Sequence, residues 1–185
     1  ICSHLASRKA RVVWLHGPSD VGKTQLACSA AHALQLTRIF ARGITFISVE
    51  DIDETCPGVA NDAGLDELKL QVDTWLAATA DRSSEPQAAT LILLDGVDAL
   101  VASRPFVTWL DDLCIDKQYV QLLVTSRAVA WHIDELEAPH HKIEITPHTA
   151  LAPSTRHQHR RRIQARDYDA QRHFEESWHT TSMRV

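Results

Sequence analysis

The chain has 185 residues, of which 44% are hydrophobic and 23% charged, and its net charge is −5 with histidine neutral. These values are typical of an ordinary globular domain and argue against wholesale disorder. The longest apolar runs, such as residues 91–94, are far shorter than the ~18 residues that cross a bilayer, and the mild acidity argues against a dedicated DNA-coating protein. We therefore expect neither a membrane nor a nucleic acid as a principal partner.

The first half of the chain alternates strand and helix patterns. The apolar run over residues 11–16 is typical of a strand that is buried on both faces, and it ends at Gly17. From Gly22 to about Gln35, an alanine-rich segment predicts a helix, with an apolar stripe at every fourth position (Leu26, Ala30 and Leu34). Residues 44–49 form the next β-rich run, and residues 51–63 are interpreted as a loop.

The second half continues this alternation. A helix is predicted over residues 65–79, an apolar strand over 90–95 and a short helix over 106–113. A fourth strand is predicted over residues 120–125 and a fifth over 142–145. Because strands that alternate with helices form parallel sheets, we expect an α/β fold with a mostly parallel five-stranded sheet between layers of helices.

Residues 147–185 differ from the rest of the chain. They contain seven arginines and five histidines against four acidic residues, and their apolar residues follow no sustained period. Such a segment is either a basic arm for an acidic partner or a solvated tail, and its composition favours the tail. We therefore expect a nucleotide-binding domain over residues 1–146, on the motifs described next, and a poorly ordered basic tail over 147–185.

The spacing of the cysteines indicates the cellular compartment, and the first residue indicates a longer parent chain. Cys2, Cys28, Cys56 and Cys114 are scattered and form no C-x-x-C pair, which suits neither a zinc ribbon nor a disulfide framework. We interpret them as reduced thiols of a cytoplasmic protein. The chain begins at Ile1 rather than at methionine, so we expect it to be a piece of a longer chain with flanking domains.

A phosphate-binding motif follows the first strand. The residues Gly17, Pro18, Ser19, Asp20, Val21, Gly22, Lys23 and Thr24 fit the pattern G-x-x-x-x-G-K-[ST]. Such a loop presents backbone N–H groups to an anion, while its lysine reaches the β- and γ-phosphates and its threonine hydroxyl binds Mg²⁺. The motif lies between a predicted strand and a predicted helix, and this setting favours it over an ordinary strand-to-helix turn.

Two carboxylates follow the apolar strand over residues 90–95. Asp95 ends that strand, at the edge of the sheet where open α/β folds bind ligands, so it is predicted to hold Mg²⁺ together with Thr24. Asp98 has two interpretations that the sequence leaves open. It either orients or deprotonates an attacking water, or it is an acid of a turn or helix cap.

Arg127 follows the strand over residues 120–125 after two polar residues. A guanidinium at this edge of the sheet binds a γ-phosphate bidentately and reports its presence. The alternative is an ordinary surface arginine.

Three segments, in this order and spacing, resemble the nucleotide-binding domain of STAND-class signal-transduction ATPases, which include the NACHT and NB-ARC domains. They are VVWLHGPSDVGKTQLA, LILLDGVDAL and VQLLVTSR. The D-G-x-D arrangement of Asp95 and Asp98 is closer to NACHT. The resemblance implies a three-layer P-loop sandwich in which the strand ending at Thr125 lies between the loop strand and the Asp95 strand. It also implies that Arg127 senses the γ-phosphate and that Gln25 belongs to the nucleotide site.

The resemblance implies a regulatory switch that binds ATP or ADP with Mg²⁺, uses Asp98 and Arg127 at the γ-phosphate, and self-associates according to the nucleotide. Ala99 stands where NACHT domains commonly have glutamate, so we expect weak ATPase activity or none. One rival hypothesis is a turnover ATPase of the AAA+ kind, which Arg127 disfavours. Another is a scaffold that has lost nucleotide binding, suggested by Asp20 in place of the family's extra glycine. The sequence contains no N/T-K-x-D guanine motif, which favours adenine.

Overall fold

A computed structural model describes residues 1–49, 62–80, 88–130 and 132–147. The strands in this part of the chain are β1 (Val12–His16), β2 (Gly43–Ser48), β3 (Thr90–Asp95), β4 (Val120–Ser126) and β5 (His140–Glu144). The helices are α1 (Cys2–Ala6), α2 (Lys23–Leu36), α3 (Asp62–Thr79) and α4 (Arg104–Asp116). Single 3₁₀ turns, which the sequence patterns did not predict, span Val97–Leu100 and Ile133–Glu135.

The five strands form one parallel sheet in the order β2-β3-β4-β1-β5. The predicted α/β fold is therefore confirmed, as is the position of β4 between β1 and β3. The register pairs Leu94 with Val124 and Leu15 with Thr125, so β1, β3 and β4 end at the same edge of the sheet. This register brings the residues that follow three separate strands together.

Both faces of the sheet are covered by helices. Trp14, Leu94 and Val124 belong to a hydrophobic core that also contains buried residues of α3 and α4. The residues next to them along the strands, such as Leu15 and Leu93, are equally buried. Because neighbouring side chains of a strand point to opposite faces, these residues form a second core, on the face where α2 contacts the strands and α1 packs on α2. The result is the expected three-layer sandwich.

The helix α2 differs from the prediction in the face that it buries. Its buried residues are Ala27, Ala30, Ala31 and Leu34, whereas Leu26 is 39% exposed. A stripe at positions i, i+3, i+4 and i+7 follows the helical period of 3.6 residues, whereas a strict step of four drifts around the helix. The helix therefore uses small alanine side chains to approach the sheet closely.

The helix α3 begins earlier than predicted. It includes Asp62 and Gly64, which lie at or next to the end of the predicted loop. A glycine inside a helix costs about 1 kcal/mol relative to alanine. Burial of Leu65 and Leu68 directly after it offsets this cost, since each buried leucine contributes roughly 1.5–3 kcal/mol. The remainder of the predicted loop, residues 51–61, lies outside the described residues.

The described residues of Ile1–Thr146 form one compact unit. All of the predicted tail except Pro147 lies outside the described residues. No helix in the described ranges is long and apolar enough to cross a membrane. Cys2, Cys28 and Cys114 are free thiols, as the sequence predicts, and Cys56 lies outside the part of the chain that the structure describes.

Candidate functional site

The predicted phosphate-binding loop connects β1 to α2 and has a distinctive backbone. Three of its residues have positive φ angles: 147° at Gly17, 61° at Asp20 and 87° at Gly22. Residues other than glycine, asparagine and aspartate rarely adopt such angles. A Cβ atom at Gly17 would lie 2.2 Å from the carbonyl oxygen of Ile145. Glycine is therefore required at this position because the backbone that leaves β5 passes directly over it.

The phosphate-binding loop leads directly into the amino terminus of α2. Gly22 is the N-cap of this helix, and neither a capping side chain nor an acidic residue occupies its first turn. The first backbone N–H groups of a helix have no partner within the helix, and this end carries partial positive charge. A Cβ at Gly22 would meet no atom within 4 Å, so an anion can approach the backbone there.

The other loop residues surround this opening. Pro18, Ser19 and Asp20 are exposed, whereas Val21 and Gln25 are half-buried. Because Asp20 is exposed, its carboxylate keeps contact with solvent.

The lysine of the motif crosses the loop. Its Nζ donates hydrogen bonds to the carbonyl oxygens of Gly17 at 2.9 Å and Pro18 at 2.8 Å. An ammonium group has three N–H donors, so one remains for a phosphate oxygen when the other two bind the loop. These two hydrogen bonds hold the charged group of Lys23 against the loop backbone.

Thr24 and Asp95 contact each other although they lie on different elements. Thr24 Oγ1 is 2.9 Å from Oδ1 and 3.0 Å from Oδ2 of Asp95. Octahedral Mg²⁺ binds oxygen at about 2.0–2.1 Å, which places neighbouring ligands ~2.9 Å apart. The Thr24 hydroxyl and a carboxylate oxygen of Asp95 therefore have the chemistry and the spacing that suit two adjacent positions around Mg²⁺ or around its water shell.

The sequence interpretation missed a third partner of this carboxylate. Thr125, which is 1% exposed at the end of β4, donates its hydroxyl to Asp95 Oδ1 and accepts the backbone N–H of Gly96 at 3.0 Å. Its signal in the sequence is a polar residue at the end of an otherwise apolar strand. Cys28 lies near the same carboxylate, and its own burial together with the charge of Asp95 raises the pKa of its thiol to about 11.

Asp98 and Arg127 form a pair at the same edge. Asp98 Oδ1 accepts the backbone N–H of Arg127 at 2.7 Å and lies 3.3 Å from its Nε. The carbonyl oxygen of Arg127 accepts the N–H of Gly17 at 3.2 Å. Gly96, rather than Asp98, caps the 3₁₀ turn over Val97–Leu100. The carboxylate of Asp98 is therefore directed to a neighbouring strand end and not to its own turn.

Hydrogen bonds that begin at a buried tryptophan fix the backbone on either side of Arg127. The indole Nε1–H of Trp14, which is fully buried, donates to Ser126 Oγ at 2.7 Å, and the Ser126 hydroxyl donates to the carbonyl of Ala128. Both neighbours of Arg127 in the chain are thus tied to this network. Sequence periodicity predicts only that Trp14 is buried, because its polar partner lies on another strand.

Comparison with known proteins identifies the family of this domain. A sequence model of the NACHT domain matches residues 11–163. The chain belongs to the NACHT family. It is a nucleotide-binding P-loop NTPase domain, as the family match and the parallel sheet together indicate.

Two larger solved proteins are similar to this NACHT chain in structure. It is similar to C. elegans PCH-2, with a TM-score of 0.53 and 16% identity over 79% of this chain and 42% of the other. It is also similar to the Aeropyrum pernix ORC1 protein in complex with DNA, with a TM-score of 0.49 and 17% identity over 80% and 43% of the two chains. The NACHT chain thus spans less than half the length of either protein, and the likeness to PCH-2 shows the fold alone. No curated protein matches the sequence.

Proposed function

We propose that this NACHT domain is a regulatory switch that binds ATP or ADP with Mg²⁺ and changes its contacts with flanking domains according to the γ-phosphate. The observation that carries the proposal is the 3.2 Å hydrogen bond between Gly17 and Arg127. It joins the loop that binds phosphate to the residue proposed to detect the last phosphate. A ligand that favours one of two conformers shifts the equilibrium between them.

In the proposed binding site, one set of groups binds the phosphates and another binds Mg²⁺. The backbone N–H groups of the loop and the remaining donor of Lys23 bind the β- and γ-phosphates, with Gln25 at the start of the helix beside them. Thr24 and Asp95 hold Mg²⁺, which neutralises charge on the β- and γ-phosphate oxygens. The absence of a guanine motif from the sequence supports adenine as the base.

Slow hydrolysis or none is part of this proposal. Hydrolysis needs a group that positions or deprotonates the attacking water. Ala99 offers only a methyl group where NACHT domains commonly have glutamate. The carboxylate of Asp98 already accepts the backbone N–H of Arg127, which supports a structural use of this acid. A domain with these residues retains ATP long enough to act as a signal, and self-association is then tied to the ATP-bound form.

Calorimetry with Mg-ATP and Mg-ADP tests the binding step. Lys23→Ala removes the charge that faces the phosphates and should weaken both affinities by about 2 kcal/mol, or ~30-fold. Lys9→Ala, which removes an exposed lysine from the turn before β1, is the matched control and should change neither affinity. Equal binding by the Lys23→Ala variant and the unmodified domain would refute the assignment of the loop.

Steady-state turnover distinguishes the switch from its rival. Typical enzymes turn over at roughly 1–10³ s⁻¹, and the switch should hydrolyse ATP far below this range. Fast turnover with unchanged oligomeric state would instead indicate a turnover ATPase. Failure to bind either nucleotide would indicate a scaffold.

A further inference from the structure

The ion pair between Asp98 and Arg127 joins a fixed partner to a movable one. The carboxylate of Asp98 is 19% exposed, whereas the side chain of Arg127 is 65% exposed. Asp98 lies in the 3₁₀ turn over Val97–Leu100, whose two end residues are buried in the core. The turn is further held by the hydrogen bond from Gly96 N–H to Thr125 Oγ1. The acid therefore stays in place while the guanidinium has room to leave.

The backbone of Arg127 does not have this freedom. Its N–H binds Asp98, its carbonyl binds Gly17, and the residues on either side of it are tied through Ser126 and Trp14. Movement at Arg127 is thus confined to its side chain. Within the described part of the chain, the polar contact of that side chain is the 3.3 Å approach of its Nε to Asp98 Oδ1.

We propose that Asp98 is a positioning residue that sets the preference of the domain for ATP over ADP by competing with the γ-phosphate for the guanidinium of Arg127. This inference rests on the proposed function, since it requires a bound nucleotide. A γ-phosphate bears more negative charge than a carboxylate and offers three acceptor oxygens to the planar guanidinium. When ATP binds, Arg127 turns from Asp98 to the γ-phosphate while its backbone stays in place. With ADP the Nε contact with Asp98 persists.

The competition has a consequence that depends on the nucleotide. ATP binding has to break the Nε contact, and the free energy that this costs lowers the affinity for ATP. ADP binding leaves the contact intact, so the affinity for ADP is unaffected. Because exposed ion pairs contribute little, removing Asp98 should raise the ratio of ATP to ADP affinity by roughly two- to fivefold. The pair thereby prevents the ATP-bound form from dominating at low ATP concentration.

The decisive measurement is a double-mutant cycle on nucleotide preference. Calorimetry gives the ATP and ADP affinities of the unmodified domain, Asp98→Asn, Arg127→Ala and the double variant. Asparagine keeps an oxygen that can accept the backbone N–H of Arg127 but removes the charge that holds the guanidinium. We expect Asp98→Asn to raise the ATP-to-ADP ratio in the unmodified background and to have no effect in the Arg127→Ala background.

Two results would overturn the proposal. An unchanged ratio in Asp98→Asn would show that the pair does not compete with ATP. The same rise in the Arg127→Ala background would show that Asp98 acts only by repelling the γ-phosphate. Asp66→Asn is the matched control, because Asp66 also lies 3.3 Å from a cation, Lys69, but on the exposed surface of α3. If the unmodified domain binds neither nucleotide, the proposed function itself fails; if it binds both and the ratio does not move, only this inference fails.

A spectroscopic readout keeps the proposal testable if Asp98→Asn proves unstable. The Nε–H resonance of Arg127 is assigned from its loss in Arg127→Lys and is followed in the unmodified domain. Saturating Mg-ATP should shift this resonance, whereas Mg-ADP should leave it close to its nucleotide-free position. Equal shifts with both nucleotides would overturn the competition.

Discussion

Gly17 donates its backbone N–H to the carbonyl oxygen of Arg127 at 3.2 Å, so the first residue of the phosphate-binding loop is bonded to the residue that follows β4. The position of a Cβ on Gly17 is occupied by the carbonyl of Ile145, which follows β5. The loop therefore contacts the backbone at the ends of both strands that neighbour β1.

Replacing the two glycines of the loop should have unequal effects on stability. Gly17→Ala places a Cβ 2.2 Å from a backbone oxygen and should lower the free energy of unfolding by more than 2 kcal/mol, beyond the ~1–2 kcal/mol of left-handed strain alone. Gly22→Ala meets no atom within 4 Å and should cost only that strain. Urea unfolding of both variants measures the difference. Equal losses would contradict the close approach of Ile145.

Arg127→Ala should lower ATP affinity selectively, because Arg127 is proposed to contact a phosphate that ADP lacks. A charge-assisted contact contributes roughly 1.5–3 kcal/mol, which is about a tenfold to hundredfold change in the ATP-to-ADP preference. Arg127→Lys should restore only part of it, since the planar fork is lost. Arg104→Ala, which removes an exposed arginine paired with Glu135 at 3.4 Å, is the control. Parallel losses for ATP and ADP would mean that Arg127 supports the loop rather than detects the γ-phosphate.

The proposed Mg²⁺ site at Thr24 and Asp95 predicts that one substitution removes the effect of Mg²⁺ on ATP binding. In the unmodified domain, Mg²⁺ should tighten ATP binding through Thr24 and Asp95. Thr24→Val keeps the shape of the side chain and removes the oxygen, so the gain from Mg²⁺ should fall roughly tenfold or more. Titrating ATP with and without Mg²⁺ measures this gain. Thr37→Val, at the opposite end of α2, should leave the gain intact, and a similar fall there would discredit the assignment.

The contact between α1 and β5 predicts a dependence of stability on pH. His4 and His141 stack with ring centroids 3.9 Å apart. Desolvation, followed by the charge of His141, lowers the pKa of His4 below its usual 6.5. The folded state therefore disfavours protonated His4. Its contribution to stability is complete above pH 6.5 and is lost as the pH falls from there towards the lowered pKa.

A variant isolates this contribution from the other titrating groups. The thermal midpoint of the unmodified domain should fall between pH 7.5 and pH 5.5 by more than that of His4→Phe, which keeps an aromatic ring without the titration. His32→Gln, at an exposed position of α2, serves as the control and should fall as the unmodified domain does. An equal fall in the His4→Phe variant would exclude His4 as a cause.

Local chemistry explains why much of this domain could be predicted from its sequence. The loop from Gly17 to Thr24 is a contiguous motif, and its setting is specified by the apolar strand before it and the alanine-rich helix after it. The helix boundaries agree within a few residues for α2, where Lys23–Leu36 replaces the expected 22–35. The position of β4 between β1 and β3 followed from the family resemblance, because periodicity does not specify which strands are neighbours. The roles of Lys23 and Arg127 in nucleotide binding stay predictions.

The sequence by itself determined that four polar residues lie at the ends of two apolar strands or just after them, since neighbours in the chain stay together. These residues are Asp95, Asp98, Thr125 and Arg127. Only the tertiary structure decided which of them meet. Asp98 pairs with Arg127 across 29 residues of chain, and Asp95 binds Thr125 across 30, because the parallel register of β3 and β4 aligns their carboxyl ends. A shift of that register by one residue would turn each side chain to the opposite face. Which of these side chains meet is therefore a property of strand pairing, which spacing along the chain does not specify.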